Sequence, residues 1–382
     1  MLEARTIPTA TRGVSTAQPS AGRALGEAIT ALRRGEPVLI RDHRVGALAV
    51  AAEFVTEGTL HRLREISQGP ASLVITGRRR AVALGLTPRA ELFGATAIPV
   101  SFQLLAAVIR NLAGPPASIV SDPPRLAPEP LVAESVELAA VVLAKLASLL
   151  PAAFVLRVGR SQTALLARQS DLAAIQAAAV FKRNAAAAGL DRVTEARVPL
   201  ADAETAGLIA FRPRDGGNEH LAILIGAPDP AAPVLVRLHS ECFTGDLISS
   251  LHGDCGDPLR GAIAAIARAG SGVLLYLAQE GRGIRLINNL RAYHLQDAGF
   301  DPLDADEHRG FDADERIYLL AAEMIRQLGF GTVRLLTNNP DEVAALERYG
   351  VCVAERVLHV FPPNRRNQWY LHTKATQSGR FP

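Results

Sequence analysis

Only three cysteines occur among 382 residues, too few to cross-link a chain of this size, which excludes a disulfide framework and fits a reducing compartment. Charge of one sign is equally scarce. The 41 Lys and Arg against 38 Asp and Glu leave a net charge of +3, without the basic stripe that an extended nucleic acid would need. No uninterrupted apolar run reaches the roughly 20 residues of a membrane span. The most apolar stretch, Leu138 to Val158, is broken by Lys145 and Pro151 and reads as a buried helix running into a strand. The first 23 residues, rich in Ala, Thr, Ser and Pro, lack the apolar centre of a secretory leader and are expected to form a loose, disordered tail. No fixed-period repeat is present. What these absences leave is a cytoplasmic α/β (α+β) protein with neither nucleic acid nor membrane as partner, long enough for two domains.

Periodicity divides the chain. From Ala24 to about Leu190, helical stretches (Ala24–Arg34, Leu60–Ile66) alternate with short apolar strands (Val38–Ile40, Ala71–Thr76), the pattern of a layered α/β domain. An Ala-rich helix ends near Gly189. After it come strand-like runs at Leu208–Phe211, Leu221–Ile225 and Val234–Leu238, separated by Gly, Pro and Asp turns. From Leu259 helices and strands alternate again: helix to Ala269, strand Val273–Leu277, helices Leu286–Ala298 and Glu315–Leu328, strand Val333–Thr337, helix Pro340–Tyr349. The expected domains are residues 24–190 and 191–382.

The stretch Arg237–Cys255, RLHSECFTGDLISSLHGDC, gathers two of the three cysteines with His239, Glu241, Asp246, His252 and Asp254. Thiolate and imidazole suit Zn²⁺, which in catalytic sites takes three protein ligands and leaves a fourth position open. Two buried, chemically idle cysteines are the plainer alternative.

The wording of this stretch resembles GTP cyclohydrolase II, and so do YLAQEGRGI (Tyr276–Ile284), LRAYHLQDAG (Leu290–Gly299), GFDADER (Gly310–Arg316), RLLTNNP (Arg334–Pro340) and NQWYLHTKATQSG (Asn367–Gly379). The resemblance spans roughly Asp191 to the C-terminus. It implies a zinc-dependent homodimer that hydrolyses GTP, with Mg²⁺ on the nucleotide, to the ring-opened diaminopyrimidine nucleotide, formate and pyrophosphate at the start of riboflavin synthesis. It assigns Cys242 and Cys255 to the metal, Tyr293 to the reacting carbon, and Asp314 and Arg316 to loss of pyrophosphate, as acid–base carboxylate and nucleophile. Arg237, Leu238, His239, Ser240, Glu241, Glu280, Gly281, Arg282 and Thr337 are assigned to the nucleotide.

Five positions depart from the family pattern. Gly253 stands where a middle cysteine ligand is expected, and His252 is the expected replacement, ahead of Asp254. Pro258 replaces a glutamine, Pro302 a threonine, Arg285 a glycine and Glu342 a phosphate-binding lysine, a charge reversal expected to weaken GTP binding. These changes leave two further readings, a paralogue acting on another nucleotide or pyrimidine and a non-catalytic nucleotide-binding homologue.

The first half faintly resembles 3,4-dihydroxy-2-butanone 4-phosphate synthase. That resemblance implies an acidic loop for Mg²⁺ after the first strand, yet here the loop is RDHRVGA, Arg41 to Ala47, with Asp42 its only carboxylate. In the matching later segment, Ser135 to Leu138, neither a His nor a matching Glu follows the pattern. The domain is therefore read as a retained scaffold, and a chain beginning near Arg192 is expected to keep whatever activity the whole chain has.

Overall fold

The computed structural model describes residues 21–79, 94–100, 105–114, 129–169, 171–186, 189–214, 216–251, 255–297, 310–311 and 316–359. The expected tail, residues 1–20 of it, lies outside them.

Two seven-stranded sheets organise the chain. The first has β1 (Val38–Arg41), β2 (Gly46–Ala51), β3 (Ala71–Thr76), β4 (Ala95–Val100), β5 (Glu129–Pro130), β6 (Ala152–Val158) and β7 (Ala174–Gln176) in the order β5-β4-β3-β6-β2-β1-β7. All its pairings are antiparallel except β1 with β7. Its strands read as apolar runs because both faces are covered. Ala47, Ala49 and Ala51 of β2 pack with α1 (Ala21–Arg33) and α4 (Val136–Leu146), whereas Leu48 and Val50 face α2 (Glu57–Ile66) and α3 (Ala106–Ala113). Two further helices of the described residues, α5 (Arg160–Leu166) and α6 (Ala177–Ala186), belong to this half.

Local chemistry explains why the expected metal loop is only a turn. Asp42 Oδ1 accepts the backbone N–H groups of Arg44 and Val45 at 2.6 and 2.7 Å and closes the β1–β2 hairpin. Ser135 caps α4 by accepting Leu138 N–H at 3.2 Å, and Glu137 is tied to Arg157 at 2.5 Å.

The second sheet contains β8 (Leu190–Arg197), β9 (Gly207–Pro213), β10 (His220–Ile225), β11 (Val234–Ser240), β12 (Gly272–Leu277), β13 (Thr332–Leu336) and β14 (Cys352–Val357) in the order β14-β13-β11-β12-β10-β9-β8. β8, β9, β10 and β12 pair antiparallel, while β12, β11, β13 and β14 run parallel. Val234, Val236 and Leu238 face α9 (Tyr318–Gln327) and α10 (Pro340–Arg348), and Leu235 faces α7 (Gly256–Arg268). The period-2 alternation of β11 thus feeds two cores at once. Helix α8 (Leu286–Asp297) buries Ala292 and Leu295 in a small cluster apart from the two main cores of this half. The helix expected from Glu315 begins only at Tyr318, because Ile317 N–H is taken by Gln279 Oε1 at 2.7 Å and Arg316 is drawn into an ion pair.

The domains touch through groups of opposite character. Arg291 on α8 donates to Glu53 Oε2 at 2.6 Å, Glu53 Oε1 accepts Leu150 N–H at 2.8 Å, and Asn288 Nδ2 donates to Ser148 O at 3.4 Å. Gly310, with φ +82°, lies so close to the first domain that a β-carbon there would meet Thr76 Oγ1 at 2.5 Å and Arg79 Cβ at 3.0 Å.

Candidate active site

Three adjacent parallel strands, β12, β11 and β13, end on one side of the second sheet, where open α/β sheets place ligands. Their continuations are stitched together by the backbone. Glu241 N–H donates to Leu277 O at 2.8 Å, and Gly281 N–H to Glu241 O at 3.2 Å. Each strand end presents a buried polar atom with no hydrogen-bonding partner among the described residues: Ser240 Oγ, Glu280 Oε1 and Asn339 Nδ2. An unsatisfied buried group costs about 1–3 kcal/mol. Three such groups lie at neighbouring strand ends.

Beside them lie the two cysteines. Cys242 is buried at the end of β11 and Cys255 precedes α7. They converge across Gly245, whose β-carbon, if it had one, would lie 2.8 Å from Cys255 Cβ and 3.2 Å from Cys242 Sγ. The Cys255 thiol, against the opposing effect of burial and with help from Thr244 and the Gly245 N–H, brings the Cys242 thiol down to about 6. The downward shift favours the thiolate, the form that binds metal. No group of three or more His, Cys, Asp or Glu side chains fit to hold a metal occurs among the described residues. His252, Gly253 and Asp254, from which a third ligand would come, lie outside them. The thiol pair suits zinc as far as it goes.

Asp246, in the π-helical turn Phe243–Leu247, organises the surroundings. Its carboxylate accepts His239 Nε2 at 3.0 Å on both oxygens, Cys242 N–H at 3.0 Å and the Tyr276 hydroxyl at 3.0 Å. Tyr276 stacks on His239 with ring centroids 5.5 Å apart. Burial first, then the Asp246 charge, raises the Tyr276 hydroxyl well above its usual value, so it stays a donor. Glu280 Oε2 accepts Phe243 N–H at 2.9 Å. Burial, opposed by that bond and reinforced by the charges of Cys242, Glu241 and Asp246, lifts its carboxyl to about 7.

Tyr293 stands next to the cysteine pair on α8. Its hydroxyl is held by Thr244 Oγ1 at 2.9 Å and Asn289 Nδ2 at 3.2 Å. Burial, which outweighs those bonds, and the neighbouring thiols push it up to about 12. A third group sits under β13. Arg316 and Glu342 form an ion pair at 2.8 Å with side chains 6% and 7% exposed. Thr337 Oγ1 donates to Glu342 Oε2 at 2.7 Å, and Arg316 lies 4.9 Å over the Tyr318 ring. Burial resists ionisation of Glu342, but Arg316 and Arg237 together outweigh it and hold the carboxyl below its ordinary value. Glu342 thus faces two arginines rather than the open site, and the repulsion expected from its charge is spent inside the protein.

The structure brings Arg237, His239, Ser240, Glu241, Cys242, Cys255, Glu280, Gly281, Tyr293, Arg316 and Thr337 into one region. Leu238 is a core side chain, 1% exposed against α9, so only its backbone is available to a ligand. Gly281, at φ +59°, approaches Ile284 Cγ1 and Asn289 to within 3.2–3.4 Å of where a β-carbon would be. Asp314, Pro302 and the side chain of Arg282 lie outside the described residues. Pro258 O accepts His359 Nε2–H at 3.1 Å, and burial pushes that imidazole down to about 4. Asp246 was noted from the sequence only as one of the acidic residues around the cysteines, and Tyr276, Gln279 and Asn339 were not singled out as site residues by sequence reasoning. Only their position within the motif blocks could have pointed to them.

A relative from Azospirillum brasilense named GTP cyclohydrolase-2 is 51% identical over 366 residues, covering 94% of each chain. The chain belongs to the GTP cyclohydrolase II family. The family model for GTP cyclohydrolase II matches residues 191–358, the second sheet and its site. Shorter proteins of the same name align with this half alone, one from Pseudomonas paraeruginosa at 53% identity over 44% of this chain and 82% of its own, and one from Cronobacter sakazakii at 46% over 50% and 96%. Among solved structures, the two-domain 3,4-dihydroxy-2-butanone 4-phosphate synthase from A. baumannii aligns with 88% of this chain and 99% of its own at 15% identity and a TM-score of 0.36. That likeness carries no functional inference. The Azospirillum protein matches both halves of this GTP cyclohydrolase II family member.

Proposed function

We propose that residues 191–382 hydrolyse GTP, opening the guanine imidazole ring with release of formate and pyrophosphate for riboflavin synthesis, and that residues 24–190 act as a scaffold without an active site of their own. The observation that carries this is the convergence of the Cys242–Cys255 pair, the Tyr293 hydroxyl and three orphaned polar atoms at the ends of three parallel strands. The scaffold role is supported by Asp42 and Glu137, whose carboxylates are committed to a turn and to Arg157.

Cys242 and Cys255 would hold zinc, with His252 as the third ligand, and the metal when bound supplies a Lewis acid that brings water towards ionisation at neutral pH. Mg²⁺ accompanies the triphosphate. Tyr293, fixed by Thr244 and Asn289 and protonated at neutral pH, orients a proton beside the reacting carbon. Glu280, near its midpoint at neutral pH, can take up or release one. Arg316, whose Nη2 is held against Glu342, acts at the α-phosphate as the nucleophile, with Asp314 as the acid–base carboxylate. We further propose a cytoplasmic homodimer.

The test is zinc analysis followed by incubation of the full chain with GTP and Mg²⁺, with formate and pyrophosphate measured. About one zinc per chain and both products are expected. His252→Ala should lose zinc nearly as completely as Cys242→Ser, and Gly253→Cys should tighten it. Neither product from a zinc-loaded chain would sink the proposal, and full zinc in His252→Ala would remove that histidine from the ligand set.

A further inference from the structure

The turn that follows β11 is held by one residue. Asp246 N–H donates to Cys242 O at 2.7 Å, and Asp246 Oδ2 accepts Cys242 N–H at 3.0 Å, so both polar groups of the Cys242 backbone are bonded to the residue four places on. Short acidic side chains form such local bonds readily. The same carboxylate is also fastened to the sheet, accepting the Tyr276 hydroxyl on Oδ2 and His239 Nε2 on both oxygens, each at 3.0 Å. His239 and Tyr276 are register partners on the adjacent parallel strands β11 and β12, and their rings stack with 24° between the planes. One side chain thereby locks the turn to two strands.

The turn also sets how the cysteines meet. A β-carbon on Gly256, at the start of α7, would lie 2.4 Å from Gly245 O, so the residue before Asp246 sits directly on the segment that carries Cys255. Within the turn, Gly245 N–H donates to Cys242 Sγ at 3.4 Å and Thr244 Oγ1 lies 3.6 Å from the same sulfur. All of these contacts move with Asp246.

The carboxylate is buried, with the Asp246 and His239 side chains 8% and 5% exposed. For stability alone a neutral side chain of the same shape would serve, since a buried charge is costly. Negative charge is moreover crowded here, for the charges of Cys242, Glu241 and Asp246 all oppose ionisation of Glu280. A dication held by the two thiols relieves that crowding.

We propose that Asp246 is the positioning residue of the metal site: by clamping the Cys242 backbone to β11 and β12 it presets the Cys242 sulfur opposite Cys255, and its charge adds to the attraction for a divalent cation. This rests on the reading that the two cysteines hold zinc. Groups that hold a metal's ligands, without touching the metal, typically carry about ten- to a hundredfold in affinity. Tyr276 acts one step further out, as the tether of the carboxylate.

The test is the zinc dissociation constant of the full chain, measured by competition with a chromophoric chelator, together with the absorption spectrum of the cobalt-substituted protein. Asp246→Asn keeps the shape and loses the charge; zinc about tenfold weaker is expected, with the sulfur-to-cobalt band in its wild-type position. Asp246→Ala removes the clamp as well, and should weaken zinc about a hundredfold and shift that band. Tyr276→Phe should weaken zinc by less than Asp246→Asn does. Melting temperatures of the zinc-free proteins show which variants fold; a residue of structural use alone would lower them and leave affinity and spectrum unchanged. Should Asp246→Ala fail to fold, Asp246→Asn and Tyr276→Phe decide the matter. Zinc bound by the wild type and held within about twofold by every folded variant overturns the proposal and leaves the zinc reading intact. A wild type that takes up no zinc overturns both.

Discussion

Changing Glu342 to lysine, the residue type that the family pattern carries at this position, separates two lines of reasoning about this protein. Read from the sequence alone, the change removes a negative charge near a triphosphate and should improve GTP binding. The structure gives the opposite expectation. The Glu342 carboxylate lies 2.8 Å from Arg316, both side chains are nearly inaccessible, and Thr337 donates to it at 2.7 Å. Removing one partner of such a pair typically costs about 3–5 kcal/mol, because the remaining charge stays buried. Lysine would add a third cation beside Arg316 and Arg237. For a domain of this size each kcal/mol shifts the melting temperature by roughly 2–4 °C, so a fall of about 6–20 °C is expected. Differential scanning calorimetry at pH 7 measures it, with GTP affinity determined in parallel; Glu342→Gln should fall towards the lower end. The pH dependence has a defined sign. The folded carboxyl titrates below its ordinary 4.5, so its contribution is complete above that value and is lost as pH falls through the folded value. The gap between wild type and Glu342→Gln should therefore close in acid. A Glu342→Lys protein that melts within about 1 °C of wild type and binds GTP more tightly would refute the reasoning.

Two further expectations rest on other contacts. Glu53 and Arg291 tie α8, and with it Tyr293, to the first domain. A double-mutant cycle to alanine should show a coupling of about 1 kcal/mol, and a chain beginning near Arg192 should keep the second sheet and whatever turnover the whole chain has. Full activity in that truncated chain would show the first domain to be dispensable. Glu280 titrates at about 7, above the usual 4.5, so its contribution to stability is present below pH 4.5 and lost as pH rises through 7. Glu280→Gln should melt higher than wild type at pH 8 and no higher at pH 4, and equal melting temperatures at pH 8 would count against the burial assigned to this carboxyl.

The layers of both domains follow from the sequence because their cause is local. Period-2 alternation in β11 and helical spacing in α7 to α10 set which side chains can be buried together, and neighbours along the chain suffice to show it. The cysteine pair, Tyr293 and the QEGRG turn were legible as well, since motif blocks carry their residue types with their spacing. What the sequence did not determine is where a charge finds its partner. Asp246 meets Tyr276 across 30 residues, and Glu53 meets Arg291 across 238. Glu342 read as a repulsive charge until folding set it against Arg316. Arg285 read only as a departure from a family glycine; folding gives it a left-handed backbone, φ +73°, and a bond to Ala278 O. Coulomb attraction and desolvation depend on distance in space and on the surrounding dielectric, and both exist only once β13, α10 and the Gln279–Ile317 bridge are in place.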